Sequence, residues 1–194
     1  MNVLIIPEDF RKDQYIVKPL IRRMLAEIGK PNANLRVCMD PLLGGITEAL
    51  KWDRISEILD RYAGMVQVFL LLVDRDGKPG RRTALNKLEK LATKKLAAGR
   101  ILLAENAWQE IEVWALAGQK LPSDWKWGDI RAEIHPKERY FEPLAKKRGL
   151  LNEPGEGRTT MGREAAANYT RVRSRCVKNL QVLERKLKTW IEAT

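Results

Sequence analysis

Met65–Gly77, MVQVFLLLVDRDG, is the stretch from which the rest of this chain is read. From Met65 to Val73 it carries no charge and is mostly branched or aromatic, which fits a strand covered on both faces; the run stops abruptly at Asp74-Arg75-Asp76-Gly77. The Asp-x-Asp-Gly then forms the loop at the carboxyl end of that strand. Ligands bind at this edge in open α/β sheets. Two carboxylates placed two residues apart, with a glycine to turn the chain, make a plausible seat for a hard divalent cation such as Mg2+. A polar turn closing a buried strand is the competing reading, because Asp and Gly are common turn residues.

On the N-terminal side, Asn2–Pro7 (NVLIIP) reads as a first buried strand ending at Glu8 and Asp9, with Asp13 one short loop later. Gln14–Gly29 has apolar residues at Ile16, Val17, Leu20, Ile21, Met24, Leu25 and Ile28, the spacing of an amphipathic helix, with Pro19 expected in its first turn. Asn34–Met39 is a second strand, and a helix capped by Thr47 is expected to run to about Tyr62. The Gly44-Gly45 pair lacks the Lys and Ser/Thr of a phosphate-binding loop and reads as a linker.

On the C-terminal side, Arg81–Ala98 reads as a helix, Arg100–Ala104 as a fourth strand, and Trp108–Gly118 as a short helix. Strand and helix alternating in this way predict an α/β fold: a mostly parallel central sheet flanked by helices. Residues 1–118 form this core in the reading. Residues 119–194 form a basic, mostly helical extension packed on it, with Asn152–Thr160 (NEPGEGRTT) as a linker and Met161–Ala193 as one or two helices.

The chain has 36 Lys and Arg against 25 acids, a net charge of +11 that attracts polyanions, nucleic acid first among them. No run is long enough for a membrane span and no signal-peptide pattern opens the chain, so a cytoplasmic protein is expected. Cys38 and Cys176 have no metal-ligand spacing and read as free thiols. With His135 the single histidine, a zinc site or a Ser-His-Asp triad is not expected.

Acids follow three of the strands: Glu8, then Asp74 and Asp76, then Glu105 to Glu112. A parallel sheet brings all its carboxyl ends to one edge, so these residues converge, and clustered carboxylates make most sense around one or two divalent cations. Glu110 and Glu112, two apart, do not easily face one way on a helix.

The strand-end glutamate in NVLIIPEDF, the Asp-x-Asp in LLLVDRDG and the acidic AENAWQEIEVWALAG resemble the Toprim domain, the metal-binding fold of topoisomerases, primases and overcoming-lysogenization-defect nucleases. The last segment looks like the Glu-x-Glu-x-Trp signature of small, stand-alone Toprim-like bacterial proteins, which often accompany ATPases in presumed anti-phage loci. The resemblance covers roughly residues 2 to 118. It implies Glu8 as general base or metal ligand, Asp74 as the principal Mg2+ ligand with Mn2+ as a substitute, and Asp76 as the second carboxylate of that motif. It implies Glu112 and Glu110 as downstream ligands, with Asp13 standing in for a further acid. Toprim proteins usually carry a glycine just after the first glutamate, where this chain has Asp9.

Arg75, Lys78, Arg81 and Arg82 follow the Asp pair closely enough to offset charge on a phosphate, and Arg171 and Arg175 supply phosphate contacts from the extension. Trp108 and Trp114 read as core. Trp125 and Trp127, in a polar stretch, are free to stack on bases or on a partner. No tyrosine is placed for a covalent strand-passage step, so hydrolysis is favoured. The expected function is a Mg2+-dependent Toprim-like nuclease, an effector of anti-phage defence with an ATPase partner. The alternative is a non-catalytic module that binds nucleic acid or the ATPase; a receiver-type signalling domain fits the Asp-x-Asp and Glu-x-Glu-x-Trp poorly.

Overall fold

Four strands, β1 (Asn2–Pro7), β2 (Asn34–Val37), β3 (Val68–Val73) and β4 (Ile101–Asn106), form one sheet in the order β2-β1-β3-β4, with every pairing parallel. The computed structural model describes the whole chain, Met1–Thr194, and has the α/β architecture expected from the alternation of elements. β3 is buried at every position. Its side chains alternate between two cores: Val68, Leu70 and Leu72 join Val3, Ile5 and Leu103 on one face, while Phe69, Leu71 and Val73 join Leu4, Ile6 and Leu102 on the other.

The second of these faces is covered by α2 (Ile46–Ala49), α3 (Trp52–Tyr62) and α4 (Arg81–Lys95), through Ile55, Ile58, Leu59, Leu85 and Leu88. The first carries α1 (Phe10–Glu27), α5 (Glu112–Ala117), α6 (Trp127–Ala132), a π-helical turn at Lys137–Phe141, α7 (Glu142–Lys147), α8 (Arg158–Ala167), α9 (Tyr169–Arg175) and α10 (Leu180–Glu192). Phe141, Met161, Val172 and Leu187 share one apolar cluster with the strands, so the residues beyond 118 are part of the same core.

Several boundaries differ from the sequence reading, each for a local reason. α1 starts at Phe10, four residues early, because the Asp9 carboxylate accepts the Arg11 N–H at 2.9 Å and caps it. Pro19 therefore lies inside the helix and not in its first turn. Having no N–H, it leaves the Tyr15 carbonyl without an intrahelical donor. α8 uses this gap: Gly162 lies so close that a Cβ on it would sit 2.3 Å from the Tyr15 oxygen. Gly162→Ala is expected to cost about 1–3 kcal/mol by forcing α8 away from α1, read as a lower denaturation midpoint.

The helix expected to be capped by Thr47 is two helices, split at the extended Lys51, and Gly45 precedes the first at φ 113°. The expected helix over Met161–Ala193 is three, broken at Asn168 and again between Cys176 and Asn179. The Asn152–Thr160 segment, read as a linker, packs into the molecule, with Gly155 against the Tyr15 ring and Arg158 only 2% exposed.

At the open edge of the sheet, side chains of α4 occupy the outward groups of β4. The Ala104 N–H donates to Glu89 at 2.8 Å and Arg82 donates to the Ala104 carbonyl at 2.6 Å. Lys186 of α10 holds Glu89 in turn, at 2.9 Å. No helix is long and apolar enough to cross a membrane. Both cysteines are free and buried, and burial pushes the Cys38 thiol up to about 11 and the Cys176 thiol up to about 12.

Candidate functional site

The strand register brings the acids together. Pro7 pairs with Leu72, so the chain leaves β1 and β3 at the same height, and Glu8 and Asp74 emerge side by side. The Glu8 N–H donates to the Leu72 carbonyl, and the Asp74 N–H donates to Glu8 Oε2 at 3.2 Å. Asp74 Oδ1 accepts the Ile111 N–H at 2.8 Å, Asp13 Oδ2 accepts the Asp9 N–H at 3.0 Å, and Glu110 Oε2 accepts the Lys137 N–H at 2.7 Å. Glu8, Asp13, Asp74, Glu110 and Glu112 all line one cavity of about 130 Å³, bordered by the cations Lys12, Lys137 and Arg158. The backbone N–H bonds fix one oxygen of each of four carboxylates and orient the group.

The electrostatics follow from crowding and burial. Asp74 is raised well above the ordinary carboxylate range, first by burial and then by Glu112, Asp13, Glu8 and Asp76. Burial likewise pushes Asp13 and Glu110 up to about 7, against the lowering effect of their backbone donors. Glu8 is raised in the same way by burial, with the Asp74 N–H working against it.

Two of the expected ligands are placed differently. Asp76, at φ 51°, sits outside the cavity with its carboxylate on Arg81 at 3.1 Å, and reaches the cluster only through its charge. Glu112 lines the cavity, but the Arg158 guanidinium binds its Oε1 through both Nε, at 3.0 Å, and Nη2. Glu110 and Glu112 reach one cavity because they do not share a helix: α5 begins only at Glu112, and Glu110 lies in the preceding turn.

Three contributors escaped the sequence reading. Arg158 comes from the segment read as a linker. Gln109, buried at φ 71°, straps the Asp74–Gly77 loop down: its carbonyl accepts the Arg75 and Asp76 N–H groups, and its Oε1 accepts the Gly77 N–H at 2.8 Å. His135 lies beside Glu110 and Glu138, with one possible ligand atom from each within 4.8 Å of the others, a group that could hold a metal ion where none with a histidine was expected. Only a spacing signal would have marked these residues, and none exists, since each acts across the fold.

The basic residues separate by partner. Arg81, 8% exposed, is tied to Asp76, and Arg82 is turned inward to Glu105 and the Ala104 carbonyl. Lys78 and Arg171 are exposed. Arg75 stacks on Trp108 at 3.9 Å and Arg175 on Trp127 at 5.2 Å. Of the tryptophans expected in the core, Trp114 is fully buried, while Trp108 is half-buried under cations. Trp125 and Trp127 pack against the core, with Trp125 edge-on to Tyr140 at 5.0 Å.

Fold and site thus define a class: an α/β protein whose parallel sheet gathers oriented carboxylates at its carboxyl rim, flanked by cations. Comparison of the chain with protein-family models, with curated proteins and with solved structures gave no match.

Proposed function

We propose that the chain is a divalent-cation-dependent hydrolase of phosphodiester bonds in DNA or RNA. The observation that carries this reading is the meeting of Glu8, Asp13, Asp74 and Glu110, from separate segments, around one small cavity with one oxygen of each held by a backbone N–H. The donors are carboxylate oxygens, hard ligands suited to Mg2+ or Mn2+. An ion bound by them would offset their repulsion and supply Lewis-acid chemistry and a more acidic bound water. Asp13 and Glu110, pushed up to about 7 by burial without a cation, would be drawn back into the ionised form by a bound ion and so serve as its ligands. Lys12 and Lys137 border the cavity where phosphate charge would be met, a phosphate there competing with their present partners Glu156 and Glu138. The ATPase partner and the defence setting implied by the Toprim resemblance belong to the same proposal.

A non-catalytic nucleic-acid-binding module is the second reading, favoured by the cations already seated on Glu112 and Asp76, namely Arg158 and Arg81. Plasmid, linear duplex, single strands and tRNA, each incubated with Mg2+ or Mn2+, separate the two. Cleavage that requires the cation and vanishes in Asp74→Asn supports the first. Substrates left intact by wild type and variant alike, but still bound, establish the second.

Cation binding has a separate signature in pH. The carboxyls of Asp13, Glu110 and Glu105 are raised in the folded state from ordinary values of 3.8 or 4.5 to about 7. The stability they lend when protonated is complete below those ordinary values and is lost as pH rises through about 7. Without added cation the protein should therefore melt higher near pH 5 than near pH 8. Added Mn2+ should raise the melting temperature by about 5–10 °C at pH 8 when in hundredfold excess over its dissociation constant, and far less at pH 5.

A further inference from the structure

Outside the acidic cavity, three cations gather around a single ring. The Arg75 guanidinium sits 3.9 Å from the Trp108 centroid, Arg131 4.9 Å and Lys178 6.0 Å. Arg131 also reaches the Arg175 carbonyl at 3.4 Å, and Arg175 lies over Trp127. Segments far apart in the chain thus converge on one surface: the Asp74–Gly77 loop, the turn after β4, α6, and α9 with the turn that follows it. Elsewhere Arg81, Arg139 and Arg173 each hold a carboxylate; Arg75, Arg131, Arg175 and Lys178 hold none. The crowding has a cost, since Arg131 is lowered by burial and by Arg75, and Arg175 by burial and by Arg171.

Cations so placed attract an anion, and the geometry narrows its kind. Stacking on an indole uses the flat face of a guanidinium and leaves its in-plane N–H edges for the paired oxygens of a phosphate; Arg75 has all of them free, whereas Arg131 gives one to the Arg175 carbonyl and Arg175 one to the Ala117 carbonyl at 3.1 Å. Trp108 is thereby occupied as a scaffold and is not free to stack on a base. Because Arg75 stands between Asp74 and Asp76, the patch adjoins the rim that carries the acidic cavity. We infer that Arg75, Arg131 and Lys178, organised by Trp108, with Arg175 beside them on Trp127, form a clamp for consecutive backbone phosphates of a nucleic-acid strand leading to that cavity. The inference deepens the proposed function and rests on it for the strand's destination, but its binding claim stands apart from cleavage.

The test is fluorescence anisotropy of labelled single-stranded and duplex oligonucleotides with full-length protein in EDTA, where no cation-dependent cleavage occurs. Arg75→Ala and Lys178→Ala are each expected to weaken binding about five- to tenfold and to lower the slope of log K against log salt by about 0.7–0.9. Arg131→Lys, which keeps the charge and guards against misfolding, is expected to weaken binding through loss of the planar fork. Lys94→Ala, on the exposed side of α4, should leave both quantities unchanged. Wild-type affinity and salt slope in the patch variants would overturn the clamp, as would equal losses in the Lys94 control or equally tight binding of polyglutamate. Binding with this pattern but no cleavage under any cation would defeat the hydrolase reading and leave the clamp standing.

Discussion

Asp74→Asn is expected to abolish cation-dependent cleavage, by about a thousandfold or more, while making the cation-free protein more stable at neutral pH. The two effects have one cause. The half-buried carboxylate is crowded by Glu112, Asp13 and Glu8, so its charge opposes folding until a cation offsets it. Asparagine keeps an oxygen for the Ile111 N–H, held at 2.8 Å by Asp74, and adds an amide donor toward the neighbouring acids. Melting without cation should rise by a few degrees in the variant, and the Mn2+-induced increase should shrink. Activity lost together with stability would instead mean that Asp74 is structural, and cleavage retained would remove it from the mechanism.

Arg158→Ala is expected to be strongly destabilising, costing about 3–5 kcal/mol and lowering the melting temperature by roughly 10–15 °C. Arg158 is 2% and Glu112 5% exposed, so truncating the guanidinium leaves a buried carboxylate without its hydrogen-bonded cation. The same side chain also donates to the Gly155 carbonyl at 3.1 Å and lies over the Phe141 ring at 5.3 Å. The paired replacement Arg158→Met with Glu112→Leu should recover most of the loss, because a buried ion pair contributes little net stability over apolar residues of similar size. Failure of the pair to recover would assign the loss to the Gly155 and Phe141 contacts. Calorimetry of the two single variants and the pair decides between these accounts.

What could be read in the sequence was what depends on local pattern. The uncharged run ending at Val73 and the apolar spacing of α1 are consequences of burial within one element, and they gave the parallel sheet and the rim on which Glu8 and Asp74 meet. Pro19 misled because proline favours a first turn; here the cost of its missing N–H is borne mid-helix, where Gly162 of α8 docks. NEPGEGRTT has the composition of a linker, yet it delivers Arg158 to Glu112 across 46 residues of chain. Such a pairing leaves no periodicity behind. Gln109 was equally hidden, since its role as a strap depends on a positive φ and on a loop more than thirty residues earlier.

The treatment of β4 limits how this molecule can assemble. Its outward donor and acceptor at Ala104 are taken by side chains of Glu89 and Arg82, which obstructs an incoming strand at the middle of that side. The opposite border is β2, only 4 residues long, a poor template for fibrillar growth or for capture of an extended peptide. Helical surfaces therefore offer larger complexes of this chain more room than either border of the sheet, which serves as an interior girder.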